Sequence, residues 1–301
     1  MDSRDVLPHT GLVSPWIAIV VGVAGFASGV LSGMFGVGGA VLTTPSIRFL
    51  GATPIESVGS TIPAILPGSM SGAWRYSRAG MVDWRVALPA GLFGSGFAVA
   101  GAEMSDHVNG HILMLITAAM LLWSGLATIR KRRAADLAAA DPLPVPVGGP
   151  ADAEGEVIAI HAALTPAVGA VGAGESESKR PIVVVAGIAA AAGLLAGLLG
   201  VGGGVLLVPA FTGILRIPPK RAVASSLVAV AMFSIPAMVT HTLLGHINWA
   251  YALPLVAGVV PGAQVGAKFT LQRTEAQLRF LMGLFFVILA IVYGTRELLA
   301  L

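Results

Sequence analysis

Eight apolar segments of this chain are each long enough to cross the roughly 30 Å hydrocarbon core of a membrane. They are residues 17–50, 57–74, 86–102, 111–129, 182–215, 222–244, 249–267 and 280–295. Hydrophobic residues make up 55% of the 301 residues and charged residues 11%, which is too apolar for the surface of an ordinary soluble protein. We therefore predict an all-α, polytopic membrane protein.

A stretch rich in Ala, Pro, Gly and charged residues separates the fourth apolar segment from the fifth. It has no sustained helical period, which is typical of a flexible connector. The predicted organisation is a first transmembrane repeat over residues 1–130, a flexible cytoplasmic linker over 131–180 and a second transmembrane repeat over 181–301.

The two halves carry matching motifs. GVGGAVLTTP, residues 36–45, returns 164 residues later as GVGGGVLLVP, residues 200–209. Beyond it the offset is 165 and relates Pro54 to Pro219, Ser60–Thr61 to Ser225–Ser226, Asp83–Trp84 to Asn248–Trp249, and Gly101–Ala102 to Gly266–Ala267. One register kept over so many Gly, Pro and Trp positions indicates an internal repeat.

The distribution of Lys and Arg indicates how these repeats are oriented. If all eight segments cross once, the basic residues divide 11 to 7 between the two sides. If each glycine-broken segment instead returns to the side that it entered from, they divide 15 to 3, which fits the positive-inside rule better. Each repeat is then a re-entrant, glycine-broken helix pair plus three transmembrane helices. Three crossings invert the second repeat and place the termini outside and the linker in the cytoplasm.

The glycine breaks are the first candidate site. Unpaired backbone groups within a membrane require protein or a water-filled cavity beside them. A helix that begins at such a break presents free N–H groups and a partial positive charge, and it can bind an anion without a cationic side chain. The predicted substrate contacts here are Gly38, Gly39, Ala40, Gly202, Gly203 and Gly204. Helix packing alone is the alternative; a nucleotide-binding loop is disfavoured because Val41 and Val205 occupy the last glycine position of G-x-G-x-x-G.

Polar side chains extend the candidate site. The hydroxyls of Ser60, Thr61, Ser225 and Ser226 could complete the hydrogen bonds of an oxyanion, or could bond the preceding turn of their own helix. Gln264 is expected to face a cavity or a neighbouring helix, since its amide would be costly in lipid. By contrast, Gly25, Gly29 and Gly33, like Ala189, Gly193 and Gly197, follow the small-xxx-small spacing of closely packed membrane helices.

Several classes of function lack the residues that they need. The middle of each crossing has no Asp or Glu, and the apolar segments contain no cluster with metal-ligand spacing and no pairing of a nucleophile with a base. We therefore expect a protein that is not an enzyme, with no catalytic residue, no metal site and no cofactor. The basic residues lie in short loops, which argues against nucleic acid as a partner. The expected partners are the lipid bilayer, a small anion and, as an open question, a coupling proton; the oligomeric state is open.

The repeated motifs identify a family. GMFGVGGAVLTTP and GLLGVGGGVLLVP, with AVASS at residues 222–226 and GAQVGA at residues 262–267, resemble the sulfite exporter TauE/SafE family of membrane transporters. The resemblance implies movement of small sulfur-containing anions, such as sulfite, sulfoacetate or other organosulfonates, across the cytoplasmic membrane. The first copy departs from the second by carrying Ala40 where the second has Gly204.

The hypothesis at this point is a secondary transporter that holds its anion at converging half-helix N-termini and works by alternating access. A passive anion channel shares all of these sequence features. A divalent-metal permease and a non-transporting membrane scaffold are two further candidates.

Overall fold

Ten helices make up the part of the chain that the structure describes. In the computed structural model this part is residues 15–105, 107–108, 112–113, 115–126, 128 and 182–299, and it contains no strand. The helices are α1 (Pro15–Phe35), α2 (Ala40–Phe49), α3 (Pro54–Arg78), α4 (Trp84–Ser105), α5 (Leu115–Leu126), α6 (Ile182–Leu199), α7 (Gly204–Gly213), α8 (Pro219–Leu243), α9 (Trp249–Gln272) and α10 (Glu275–Leu299). The predicted linker, residues 131–180, lies outside the described residues.

The exterior of the helical bundle is apolar. Six of the described helices, namely α1, α4, α6, α8, α9 and α10, are long and apolar enough to cross a membrane. Large apolar side chains lie on the outside, with Val183 76% and Leu243 82% exposed. Such exposure would be unfavourable in water and is expected against lipid. The protein is a multi-pass, all-helical membrane protein, as predicted.

Helix starts follow local signals in the sequence. Thr53 caps α3: its hydroxyl accepts a hydrogen bond from the backbone N–H of Glu56, and the Glu56 carboxylate accepts one from the N–H of Thr53. Pro54 follows at the first helical position, where its missing N–H costs nothing. In the second repeat, the side chain of Asn248 caps α9 by accepting from the N–H of Ala250.

Two parallel helix pairs join the repeats to each other. α1 packs along α9, with Gly25 against Leu255 and Gly29 against Val259. α6 packs along α4 in the equivalent way, with Gly193 against Gly94 and Gly197 against Ala98. The predicted packing role of these small residues is confirmed, because their missing side chains let the backbones touch. The fourth helix of each repeat therefore packs against the first helix of the other repeat.

α3 and α8 meet at the centre of the molecule, and they run antiparallel. Ile65 and Val230, near the middles of these helices, contact the same two glycines, Gly38 and Gly202. Further along α3, Gly72 lies against Leu227, which comes before the middle of α8. Parallel repeats would place equivalent helices parallel, so the antiparallel contact agrees with inverted repeats.

Candidate functional site

Both glycine motifs break a helix, as the sequence predicts. α1 ends at Phe35 and α6 at Leu199, and the short helices that follow begin at Ala40 and Gly204. Gly36, Gly38 and Gly39 have φ of 74°, 89° and 91°, and their counterparts Gly200, Gly202 and Gly203 have 62°, 87° and 67°. Glycine adopts this left-handed region without the penalty that a β-carbon brings, which explains its repetition here.

The limbs of each hairpin differ in length. α1 and α6 have 21 and 18 residues, which covers about 32 Å and 27 Å at ~1.5 Å per residue. α2 and α7 have 10 residues each and cover only about 15 Å. The second limbs are therefore too short to cross a membrane, whereas the first limbs match a crossing in length.

The N-termini of α2 and α7 have no side-chain cap. Their N-cap residues are Gly39 and Gly203, both left-handed and without a capping hydrogen bond from a side chain. The first backbone N–H groups of a helix have no partner within the helix, and they carry the positive end of its dipole. At α7 one of these N–H groups has a partner, because the N–H of Gly204 donates to the carbonyl of Gly202 at 2.8 Å.

The two glycine loops pack directly against each other through their backbones, an arrangement that we call back to back. A methyl group placed on Gly38 would lie 3.6 Å from the Gly202 Cα, and one on Gly202 would lie 3.1 Å from the Val37 carbonyl oxygen. Ile65 and Val230 fill the space beside both glycines. The loops thus meet at the middles of α3 and α8, and the contact between them consists of backbone and aliphatic side chains.

The hydroxyls of Ser60 and Ser225 hold helix starts in the opposite repeat. Ser60 Oγ accepts from the N–H of Asn248 at 2.8 Å, and Ser225 Oγ accepts from the N–H of Asp83 at 2.9 Å. These bonds are equivalent under the 165-residue offset, and this reciprocal exchange is what a two-fold relation between repeats produces.

The neighbouring hydroxyls hold the glycine loops. Thr61 Oγ1 donates to the Gly200 carbonyl at 3.4 Å, and Ser226 Oγ donates to the Gly36 carbonyl at 3.1 Å. Each also bonds the preceding turn of its own helix, at the carbonyls of Val58 and Val223. All four predicted hydroxyls are therefore buried beside the loops and engaged with backbone groups.

The remaining predicted contacts are Ala40, Gly204 and Gln264. Ala40 is the first residue of α2 and Gly204 the first of α7. Gln264 is on α9 with its side chain exposed, so the structure does not gather it with the loops.

A small cavity opens beside the first glycine loop. Its lining includes Ser28, Ser32, Gly39, Leu42 and Phe285. Ser28 donates its hydroxyl to the Gly39 carbonyl, as does Thr43 at 3.2 Å. The cavity therefore joins the N-terminus of α2 to a group of buried hydroxyls. The sequence did not predict a role for these residues, although aligning the two halves reveals Ser and Thr here against apolar residues in the second copy.

Metal-binding side chains are not gathered in the described ranges, which contain no group of three His, Asp or Glu residues that could hold an ion. The buried polar side chains of these ranges are Ser, Thr and His together with Tyr76, and Arg48 is a partly buried cation. Within the described structure, then, polarity in the interior comes from hydroxyls, imidazoles and backbone.

The family model for sulfite exporter TauE/SafE matches residues 21–293, nearly the whole chain. The chain belongs to the TauE/SafE family. This TauE/SafE protein is 26% identical over 281 residues to the probable membrane transporter protein YunE of Bacillus subtilis, covering 90% of this chain and 95% of that one. It is 25% identical over 274 residues to a probable membrane transporter protein of Xylella fastidiosa, with 90% of each chain covered.

A more distant TauE/SafE relative comes from an archaeon. The probable membrane transporter protein MJ0441 of Methanocaldococcus jannaschii is 20% identical over 277 residues, covering 87% of this chain and 89% of that one. No solved structure matches the chain. Family and relatives together establish a membrane transporter.

Proposed function

We propose that this TauE/SafE protein is a secondary transporter of small sulfur-containing anions, such as sulfite, sulfoacetate or other organosulfonates, across the cytoplasmic membrane. The observation that carries the proposal is the pair of short helices that begin, without a side-chain cap, at glycine breaks inside an apolar bundle. An uncapped helix N-terminus attracts anions, and this attraction is strong where water is excluded. The name of the family supports sulfite, and sulfoacetate and other organosulfonates are included as related anions on the resemblance described above.

The cavity beside α2 supports an anion as the substrate because the described residues that line it include no carboxylate that would repel an anion. These residues include no Lys or Arg either, so the positive potential would come from the helix terminus. A divalent cation is disfavoured at the same place, because oxygen ligands of negative charge are what such ions prefer. No enzymatic step is proposed, and no cofactor.

Alternating access would require two bodies that move relative to each other. α9 packs with α1 and α3, and α4 packs with α6 and α8. We therefore propose that one moving body consists of α1, α3 and α9 and the other of α4, α6 and α8. Each body then combines helices of both repeats.

The proposed topology has both termini outside and the linker 131–180 in the cytoplasm. The 15 to 3 division of basic residues and the antiparallel contact of α3 with α8 support it. A phosphatase that is active only outside the cytoplasm, fused after Leu301, should be active, and the same enzyme inserted at residue 155 should be inactive. The opposite pattern would contradict the topology.

Transport itself is tested in proteoliposomes loaded with sulfite, sulfoacetate or sulfate. We expect saturable exit of at least one of the sulfur-containing anions, accelerated by the same anion outside, because a carrier exchanges its substrate. Exit that rises linearly with concentration and shows no counterflow would indicate a channel. No exit of any anion from folded protein would overturn the proposal, and stabilisation by divalent metal would favour the permease.

The same assay, run with and without a proton gradient, examines proton coupling. The buried residues His241 and His246 contact each other, since their Nδ1 atoms lie 3.0 Å apart and only one of the two can donate in this contact. His241 Nε2 also donates to the carbonyl of Gly197, just before the second glycine loop. A transport rate that follows the gradient would indicate coupling.

A further inference from the structure

The two glycine loops are equivalent in backbone and different in their polar surroundings. Under the 164-residue offset, four hydroxyl residues of the first copy correspond to four apolar residues of the second. The pairs are Ser28 with Ala192, Ser32 with Ala196, Thr43 with Leu207 and Thr44 with Val208. All eight side chains are buried. The symmetry of the backbone is therefore broken by these four hydroxyls, whose counterparts in the second copy are apolar side chains.

The two loops also differ in how closely their surroundings pack against them, and the first loop is again the more open of the two. A methyl group on Gly203 would lie 2.6 Å from the Ala192 carbonyl oxygen and 3.2 Å from the Ala196 Cβ. A methyl group on Gly39 would lie no closer than 3.6 Å to Ser32 and Val259. α6 is thus packed tightly on the second loop, whereas α1 leaves a gap at the first loop, and the cavity occupies that gap.

Ser32 has a hydroxyl that the fold does not use. Its side chain is 1% exposed, and its Oγ has no hydrogen-bond partner within the described part of the chain. A buried hydroxyl without a partner is unfavourable, because it has lost its hydrogen bonds to water and gained none in return. Ser28, one turn earlier, is by contrast bonded to the Gly39 carbonyl. The unpartnered hydroxyl of Ser32 lines the cavity at the uncapped start of α2.

We infer that the protein has one anion site, at the N-terminus of α2, in which Ser32 Oγ donates a hydrogen bond to an oxygen of the bound sulfite or sulfonate. Backbone N–H groups of the first turn of α2 supply the other donors. The second loop binds no anion, and its role is to pack against the backbone of the first loop. This inference rests on the proposed function and deepens it, because it assigns the anion to one repeat.

The outer wall of the cavity must move for the anion to enter. The described conformation has room for about one water-sized group, which is less than a sulfur oxyanion needs. Leu31, Leu42 and Phe285 line the cavity and are only partly buried, so they separate it from the outside. In the described conformation the cavity is therefore too small to hold the anion.

The test compares Ser32→Ala with Ser69→Ala. Ser69, on α3, is the matched control because its Oγ is also buried and without a partner in the described structure, but it is not part of the cavity lining. Neither substitution removes a hydrogen bond of the fold, so both variants should unfold at or slightly above the wild-type temperature without anion. Two quantities are measured: KM for anion exit from proteoliposomes, and the rise in unfolding temperature in detergent on adding sulfite or sulfoacetate, against chloride at equal ionic strength.

We expect Ser32→Ala to raise KM about tenfold or more and to remove most of the anion-induced stabilisation, since a hydrogen bond to a charged group is lost. Ser69→Ala should leave both quantities unchanged. A Ser32→Ala protein with wild-type KM and stabilisation would overturn the inference and leave the transport function standing, as would equal losses in the two variants. Stabilisation that depends on Ser32 in a protein without flux would support the site and overturn the transport function; neither flux nor stabilisation in the wild type would overturn both.

Discussion

Replacing Gly204 with alanine is expected to force the two glycine loops apart and to remove both thermal stability and transport. The added methyl group would lie 2.8 Å from the Val37 Cα and 2.9 Å from the Gly36 carbonyl carbon. Both atoms belong to the backbone of the opposite loop and cannot rotate away, so the loop must shift. That shift would also strain the bond from Ser226 to the Gly36 carbonyl. Overpacking of this kind costs on the order of 1–3 kcal/mol.

The measurement is the unfolding temperature in detergent, followed by anion flux from proteoliposomes. Gly187→Ala is the matched control, because Gly187 is exposed on α6 and a methyl group there meets nothing within 4 Å. It should be neutral or stabilising, since alanine favours helix over glycine by about 1 kcal/mol. If Gly204→Ala unfolded at the same temperature as Gly187→Ala, the back-to-back contact of the loops would be wrong.

Replacing Gly29 with alanine is expected to separate α1 from α9 and to destabilise the fold by a similar amount, on the order of 1–3 kcal/mol. The methyl group would lie 2.8 Å from the Val259 Cα and 2.9 Å from its carbonyl carbon. Gly193 is the equivalent residue of α6, and its methyl group would lie 2.8 Å from the Gly94 Cα. Gly193→Ala should therefore cause a comparable loss of unfolding temperature.

Gly22→Ala provides the control on the same helix pair. Its methyl group would lie 3.6 Å from the Pro254 carbonyl oxygen, which is an ordinary van der Waals contact. We expect the yield of monodisperse protein and the unfolding temperature of this variant to equal those of the wild type. A result in which Gly22→Ala and Gly29→Ala are equally stable would contradict the close approach of α1 and α9.

The glycine breaks were predictable because glycine in a left-handed backbone has few substitutes. Two adjacent glycines in an apolar segment cost helix stability, so their repetition at a fixed offset indicates a required turn. The φ values of Gly39 and Gly203, 91° and 67°, meet that prediction. The packing role of Gly29 and Gly193 followed in the same way, from a spacing that places small residues on one helix face.

The partners of the candidate hydroxyls were not predictable. Two roles are open from the sequence for Ser60, Thr61, Ser225 and Ser226: contact with an anion, or a bond to the preceding turn of their own helix. Thr61 and Ser226 do bond that turn, and all four also bond backbone groups of the opposite repeat. A hydroxyl serves a ligand and a backbone group equally well, and only the fold places Asn248 or Gly36 within reach. Ser32 was overlooked for the same reason, since a lone serine in an apolar helix does not reveal whether its hydroxyl has a partner.

Hydropathy, glycine spacing and motif identity can all be read along the chain, and they were enough to predict the membrane class, the two repeats, the helix breaks and the family. Tertiary structure decided which helices are neighbours: it exchanged α4 and α9 between the repeats and set the two loops back to back. Only the fold shows that the Ser32 hydroxyl lines a cavity and has no hydrogen-bond partner among the described residues. These features arise from contacts between residues far apart in the chain. A small change in the distance between two helices decides whether a glycine is in close contact with a neighbouring backbone or has space beside it.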